Sequence, residues 1–208
     1  MQFGVQQIFQ NYAGEVPDGQ VWDEEIRLGV LADRLGYDSI WPVEHHFRDY
    51  AACPDNLQYL SYMAASTERI GLATGAVILP WNDPLRVAEK VSMLDHLSGG
   101  RAFLGFGRGL ARCEYKGFDI DMGSSRERFD EAAELILDAL DTGFFEGKGK
   151  YYPRERTEIR PRPLRGFRDR VYSIAMSPDS VESAARLATG MAIFSQMPWE
   201  SMAETMDG

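Results

Sequence analysis

The chain has 208 residues, of which 44% are hydrophobic, and it is long enough to bury a core in one or two domains. Its net charge of -10 argues against nucleic acid as a partner. No apolar run approaches the roughly 20 residues that span a bilayer, the amino terminus lacks signal-peptide features, and the only cysteines, Cys53 and Cys113, form no CxxC motif. We therefore expect a cytoplasmic protein with no disulfide scaffold, zinc site or membrane partner.

Strand-like apolar runs recur along the chain and alternate with amphipathic segments. The run at 69–79 is apolar enough to be covered on both faces of a sheet. The predicted strands are 3–9, 38–41, 69–79, 102–106, 171–175 and 191–194.

The segments between these strands carry helical spacing and end signals. Gly36 and Gly99–Gly100 are placed to end helices, and Asp83–Pro84 and Ser177–Pro178 to begin them. Ser124 and Glu127 have the spacing of a capping box. A further helix is predicted at 56–66 and a short one near Trp199. The predicted apolar faces are Leu28, Leu31, Ala32 and Leu35; Val87, Val91 and Leu94; Phe129, Ala132, Ala133, Ile136, Leu137 and Leu140; and Val181, Ala184, Ala185 and Ala188.

Repeated β–α units predict an α/β fold with a parallel sheet and right-handed crossovers. The glycine-, proline- and charge-rich stretch 144–170 breaks this rhythm, and we interpret it as an irregular insertion in one domain covering 1–208. About six strands suit an open sheet, whereas a (β/α)₈ barrel takes about 250 residues. The pattern of elements alone leaves both architectures open.

The stretch WPVEHHF contains two of the three histidines, His45 and His46. Side chains alternate along a strand, so Glu44 and His46 would face one side and His45 the other, which disfavours one shared metal. On spacing alone, a structural, hydrogen-bonded histidine is favoured over a catalytic one.

Two further stretches follow predicted strands and have features of anion sites. GFGRG, at 105–109, combines glycines with Arg108, but it is not the GxGxxG fingerprint, and a simple glycine turn is an equal alternative. SPDS, at 177–180, begins a helix, where free N–H groups favour anions, although most such caps bind nothing. Arg108, Ser177 and Ser180 would together form one phosphate pocket at the carboxyl edge of the sheet.

Taken in order, GYDSIWPVEHHF, ATGAVILP, LDHLSGGR, GFGRG, SRERF and VYSIAMSPDSVESAA resemble the bacterial luciferase-like flavin-dependent monooxygenases. The resemblance implies a TIM barrel, here incomplete with about six strands. It implies reduced FMN and molecular oxygen as well, which form a peroxyflavin that attacks a small substrate such as an aldehyde or ketone. A separate flavin reductase would supply the reduced flavin, and the chain would form a homo- or heterodimer.

The resemblance also assigns roles to residues. It makes His45 the catalytic histidine with Glu44 and His46 as neighbours, and it places the flavin ring against the backbone at Gly75–Ala76, often through a cis peptide. The residues that it assigns to the FMN phosphate are Arg108, Ser177 and Ser180.

Three departures from the family pattern narrow this interpretation. Met176 stands where the luciferase catalytic subunit has an acidic residue, and Gly107 replaces its reactive cysteine. The chain is also shorter than its relatives, so we expect it to be truncated at the carboxyl terminus and to be poorly stable or to associate when isolated. The alternatives are a non-catalytic flavin-binding protein or partner subunit, and an oxidoreductase that uses the deazaflavin F420.

Overall fold

The computed structural model describes residues 1–193, in which strands and helices alternate along the chain. The helices are α1 (Asp18–Leu35), α2 (Asn56–Ser66), α3 (Pro84–Leu97), α4 (Arg112–Gly117), α5 (Ser125–Thr142) and α6 (Pro178–Arg186). The strands are β1 (Gly4–Gln7), β2 (Ser39–Pro42), β3 (Gly71–Ala73), β4 (Val77–Ile78), β5 (Ala102–Gly107), β6 (Phe144–Gly147), β7 (Arg154–Glu158), β8 (Val171–Ile174) and β9 (Gly190–Ala192).

The main sheet is parallel and runs in the order β1-β2-β3-β5-β8-β9, with β4 also paired to β5. Its register places Val5 opposite Ile40 and Leu104 opposite Val171. Since β3 and β4 occupy one strand position, the sheet has six positions and curls as part of a barrel. The carboxyl ends of all these strands therefore lie at one edge, where α/β folds place their sites.

The core lies between the sheet and helices α2, α3 and α5. Side chains of the sheet such as Ile40, Leu72 and Leu104 are completely buried, and they belong to the same cluster as Leu60 and Ile136 of the helices. Because both partners are apolar and close-packed, this layer supplies the main driving force for folding.

Local signals correctly predicted the helices α3 and α5. The carboxylate of Asp83 accepts the N–H of Arg86, as expected of a cap, and the predicted apolar residues of both helices are buried or pack on the core. The predicted capping box of α5 is wrong, because Ser124 has a helical backbone at the end of a 3₁₀ turn and makes no capping bond.

The predicted face of α1 is mostly wrong, since Leu28, Leu31 and Leu35 are exposed and only Ala32 is buried. The helix instead buries Gly29, where a side chain would collide with the Met63 methyl group 2.6 Å away, and Asp33. The Asp33 carboxylate accepts three backbone N–H groups just before β3. Val21 belongs to the core cluster and Ile26 and Val30 pack against it, so α1 docks through apolar side chains as well as through Gly29 and Asp33.

Three other expectations about elements need correction. The predicted strand 69–79 is interrupted at 74–76, which separates β3 from β4. The stretch 144–170 is not wholly irregular, because β6 and β7 pair as an antiparallel hairpin. In α6, Ala185 is exposed and the buried residues are Ser183 and Ala184, whereas Ala188, also exposed, lies beyond the end of the helix.

The last predicted elements fall at the end of the described residues. The strand expected at 191–194 is observed as β9, and Phe194 and the helix expected near Trp199 lie outside the described residues. In residues 1–193, no helix combines the length and apolar character needed to cross a bilayer.

Candidate active site

A cavity of about 810 Å³ opens at the carboxyl ends of the strands. It is lined by the segments that follow β2, β3, β5 and β8, together with residues of β1, β4, α4, α5 and the start of α6. Seven of the predicted site residues line it, namely Glu44, His45, Gly75, Ala76, Arg108, Ser177 and Ser180, whereas His46 does not. The predicted edge of the sheet is thus the one that carries the cavity.

His45 faces the cavity and is held from behind by a buried carboxylate. Its Nδ1 lies 3.0 Å from Oε1 of Glu114, in α4, and its side chain is 32% exposed while that of Glu114 is 3% exposed. The same oxygen accepts the backbone N–H of His46 at 2.8 Å. The imidazole is therefore fixed on one side and open to a ligand on the other.

The electrostatics of Glu114 determine which ring nitrogen is available. Burial opposes its ionisation, but the hydrogen bonds from the His45 ring and the His46 N–H, with the charge of the imidazoles, hold its pKa below the usual range. An ionised carboxylate only accepts hydrogen bonds. Nδ1 of His45 therefore carries the proton directed at Glu114, and Nε2 is left to exchange a proton in the cavity.

Glu44 is also buried, but both of its oxygens are used by the protein. Oε1 accepts from Trp81 Nε1 at 2.7 Å and Asn82 Nδ2 at 2.9 Å, and lies 3.3 Å from His46 Nε2. Oε2 accepts the backbone N–H of Ile78 at 3.1 Å. Glu44 thus anchors the 3₁₀ turn after β4 to the end of β2.

His46 lies on the Glu44 side, as expected, although β2 ends at Pro42 and does not continue through these residues, and it packs among aromatic rings. Its ring centroid is 4.7 Å from that of Phe118 and 6.0 Å from that of Trp81. Since its polar edge meets Glu44 and its faces meet these rings, the surroundings of His46 are those of a structural histidine.

The backbone at Gly75–Ala76 forms part of the cavity wall, and the peptide bond between these residues is cis. Buried Asn56, at the start of α2, joins this segment to β2, donating from Nδ2 to the carbonyls of Pro42 and Ala76. Within residues 1–193 its Oδ1 has no hydrogen-bond partner. Gly75 is also closely packed, because a side chain there would lie 3.0 Å from the Trp41 Cβ.

The GFGRG stretch is only partly a loop. Gly105 and Gly107 belong to β5, and an added Cβ at Gly105 would lie 2.1 Å from the carbonyl oxygen of Thr74, so this glycine permits close strand packing. Gly109 has a φ of +79°, which favours glycine. Between them, Arg108 lines the cavity and donates to Ser125 Oγ at 3.0 Å.

Ser177 and Ser180 form the turn at the start of α6. The Ser180 hydroxyl accepts the N–H groups of Met176 and Ser177 at 2.9 and 2.8 Å and donates to the Ser177 carbonyl at 2.7 Å. The Ser180 hydroxyl therefore shapes the turn, and both serines face the cavity. Their binding of a phosphate stays a prediction.

The sequence reasoning missed three residues of the site: Glu114, Asn56 and Arg126. Glu114 is 69 residues away from His45 along the chain, and Asn56 lies among helical residues, so neither has a local signal. Arg126 lines the cavity from the first turn of α5, next to the partner of Arg108. The stretch SRERF that contains it was noted only as part of the resemblance.

The sequence of the chain matches a known protein family and several of its members. The model of the family described as luciferase-like monooxygenase matches residues 1–208. The alkanal monooxygenase alpha chain of Photorhabdus luminescens is 27% identical over 161 residues, which are 77% of this chain and 44% of that protein. The oxygenase component of the flavin-dependent trigonelline monooxygenase of Acinetobacter baylyi is 31% identical over 169 residues, covering 80% and 47%.

A solved structure gives the same result for the fold. The monooxygenase RslO1 from Streptomyces bottropensis superposes with a TM-score of 0.90 at 34% identity, covering 100% of this chain and 64% of that one. The predicted α/β fold, an incomplete luciferase-like TIM barrel with six strands, is confirmed. The chain spans less than half the length of the two curated relatives. It belongs to the luciferase-like monooxygenase family.

Proposed function

We propose that the chain is the oxygenase part of a flavin-dependent monooxygenase that acts on a small organic substrate. The observation that carries this proposal is the convergence of His45, the Gly75–Ala76 backbone and Arg108 on one cavity of about 810 Å³. Membership of the family and the names of the relatives above support the reaction class.

The residues present fit FMN. The cavity joins a backbone wall at Gly75–Ala76, suited to a flat ring, to a polar end at Arg108, Arg126 and the start of α6, suited to a phosphate. Reduced FMN, when bound, would supply two electrons, so that one oxygen atom of O₂ enters the substrate and the other leaves as water. As the A. baylyi relative is named an oxygenase component, we propose a separate reductase partner here too.

The role of the protein side chains is to bind and to move protons. Arg108, fixed by Ser125, would hold the phosphate, and its backbone is in turn fixed by the Tyr115 hydroxyl, which donates to the Arg108 carbonyl. His45 would exchange a proton through Nε2 with the reacting atoms, while Glu114 holds its tautomer and stabilises the imidazolium.

The test supplies the chain with reduced FMN, ¹⁸O₂ and a panel of aldehydes and ketones, and follows label in the product by mass spectrometry. We expect label incorporation, and a loss of about 100-fold or more in His45→Gln at unchanged FMN affinity. FMN binding without labelled product from any substrate would contradict the proposal and favour a non-catalytic flavin protein. Turnover with reduced F420 and no label would favour hydride transfer.

A further inference from the structure

The charged residues that line the cavity are unevenly neutralised. Its cationic side chains are Arg48, Arg108, Arg112 and Arg126, and its acidic ones are Glu44, Asp49 and Glu114. Within residues 1–193, none of these four guanidinium groups forms an ion pair. Elsewhere in the part of the chain that the structure describes, guanidinium groups such as those of Arg170 and Arg186 do pair with carboxylates.

The three acidic groups are occupied elsewhere. Glu44 accepts from the turn after β4 and Glu114 accepts from His45 and His46. The Asp49 carboxylate accepts the N–H of Ala13 at 2.9 Å. These hydrogen bonds engage the carboxylates without cancelling their charge, but the four arginines still outnumber the three acidic groups. Within residues 1–193 none of these carboxylates forms an ion pair with any of the four guanidinium groups, whose donors are left for a ligand.

The arginines fall into two groups. Arg108 bonds to Ser125, the residue before Arg126, so these two lie together at the start of α5. Arg48 and Arg112 instead flank the His45–Glu114 pair, Arg48 on the segment after the histidines and Arg112 at the start of α4.

Packing keeps the segment that carries Arg48 against α4. The centroid of the Phe47 ring lies 5.1 Å from that of the Phe118 ring. A Cβ added at Gly117 would lie 2.3 Å from Cε2 of Phe47. A flavin mononucleotide has one phosphate, and the group at α5 accounts for it. Arg48 and Arg112, which line the same cavity as His45, are therefore left for a second anion.

We propose that Arg48 and Arg112 bind a carboxylate of the substrate and so select a small organic acid anion over a neutral molecule. Planar guanidinium groups match the geometry of a carboxylate, and each charge-assisted hydrogen bond is stronger than a neutral one. The inference rests on the proposed function and adds to it the class of substrate.

The test compares benzoate with benzamide, which have nearly the same shape and differ in charge. Calorimetric titration at low salt is done on the free chain and on the chain loaded with oxidised FMN. We expect benzoate to bind at least about tenfold more tightly than benzamide, and the double variant Arg48→Gln/Arg112→Gln to lose that preference while keeping its affinities for benzamide and FMN. The matched control is Lys116→Gln, which removes an exposed cation from the same helix, outside the cavity lining.

Equal binding of benzoate and benzamide by the wild type would overturn the inference, and so would a benzoate preference that survives in the double variant. Loss of FMN affinity in the double variant would also overturn it, by assigning these arginines to the cofactor, and would leave the proposed function standing. Failure of the wild type to bind FMN would contradict the proposed function instead, and the titrations of the free chain would still decide the charge preference.

Discussion

Two histidine–carboxylate pairs lie side by side at the end of β2, and they are built differently. His45 meets Glu114 at 3.0 Å and its side chain is 32% exposed, whereas His46 meets Glu44 at 3.3 Å and its side chain is 12% exposed. Glu114 accepts two hydrogen bonds through one oxygen, whereas Glu44 takes part in four through both of its oxygens. The two adjacent histidines therefore lie in different environments. His45 is open to the cavity, whereas His46 is enclosed by the groups that hold the fold.

The difference lies in the other hydrogen bonds that each carboxylate makes. The carboxylate of Glu44 is shared among Trp81, Asn82 and Ile78, so its charge is spread over groups that hold the fold. The carboxylate of Glu114 acts mainly on His45, whose free edge reaches the cavity. Each of the following predictions separates these two environments.

The largest effect is expected from Glu44→Gln. The amide would place an N–H₂ group where an oxygen now accepts, and at least one buried donor would lose its partner at a cost of about 1–3 kcal/mol, in addition to the lost charge-assisted bonds. We expect the free energy of unfolding to fall by about 3 kcal/mol in urea titrations.

Glu114→Gln is the matched control for that measurement. Since both contacts of Glu114 are made by Oε1, the glutamine oxygen can still accept them, and a loss of about 1 kcal/mol is expected. Equal destabilisation by the two substitutions would show that the pairs do not differ as we infer.

The second effect concerns activity in Glu114→Gln. A neutral amide keeps the His45 ring in place but no longer stabilises its protonated form, so we expect turnover to fall by about 10- to 100-fold. Glu114→Asp should restore part of the rate if the charge is what matters, whereas a rate that stays equally low in Glu114→Asp and Glu114→Gln would indicate a purely structural role.

Much of the fold was accessible from the sequence because the signals were local. The Asp83 cap and the apolar stripe of α5 act within one helix, and strand ends followed by polar residues marked the edge of the cavity. The exposed Leu31 of α1 shows the limit, since helical spacing defines a stripe but not which stripe the sheet covers.

The candidate site divides in the same way. His45 was selected by its position and by the resemblance, both readable along the chain. Its partner Glu114 comes from a separate helix and had no signal of its own, since a buried carboxylate on a short helix is defined only by tertiary contacts. The split of β3 from β4 was likewise hidden in a continuous apolar run, because only the three-dimensional packing shows where pairing stops.

A third, smaller effect is expected in the pH dependence of stability. The pKa of Glu114 is lowered in the folded chain from its usual value of 4.5, so its ionised form contributes stability above that pH. This contribution is lost as the pH falls through the lowered pKa. Urea unfolding at several values between about pH 6 and about pH 3.5 should show a steeper loss for the wild type than for Glu114→Gln. Parallel curves would mean that Glu114 does not ionise differently on folding.

The smallest effect is expected for His46→Gln, which changes the histidine of the His46–Glu44 pair. Glutamine retains a donor that can reach Glu44, and the carboxylate keeps its bonds to Trp81, Asn82 and Ile78, so we expect a loss of about 1 kcal/mol from the ring packing against Phe118. Turnover should stay within about threefold of the wild type, because His46 does not line the cavity. The measurement is the steady-state rate of His46→Gln beside that of His45→Gln under the same conditions. A loss as large as that of His45→Gln would mean that the two imidazoles act together, and that the division between chemical and structural histidines does not hold.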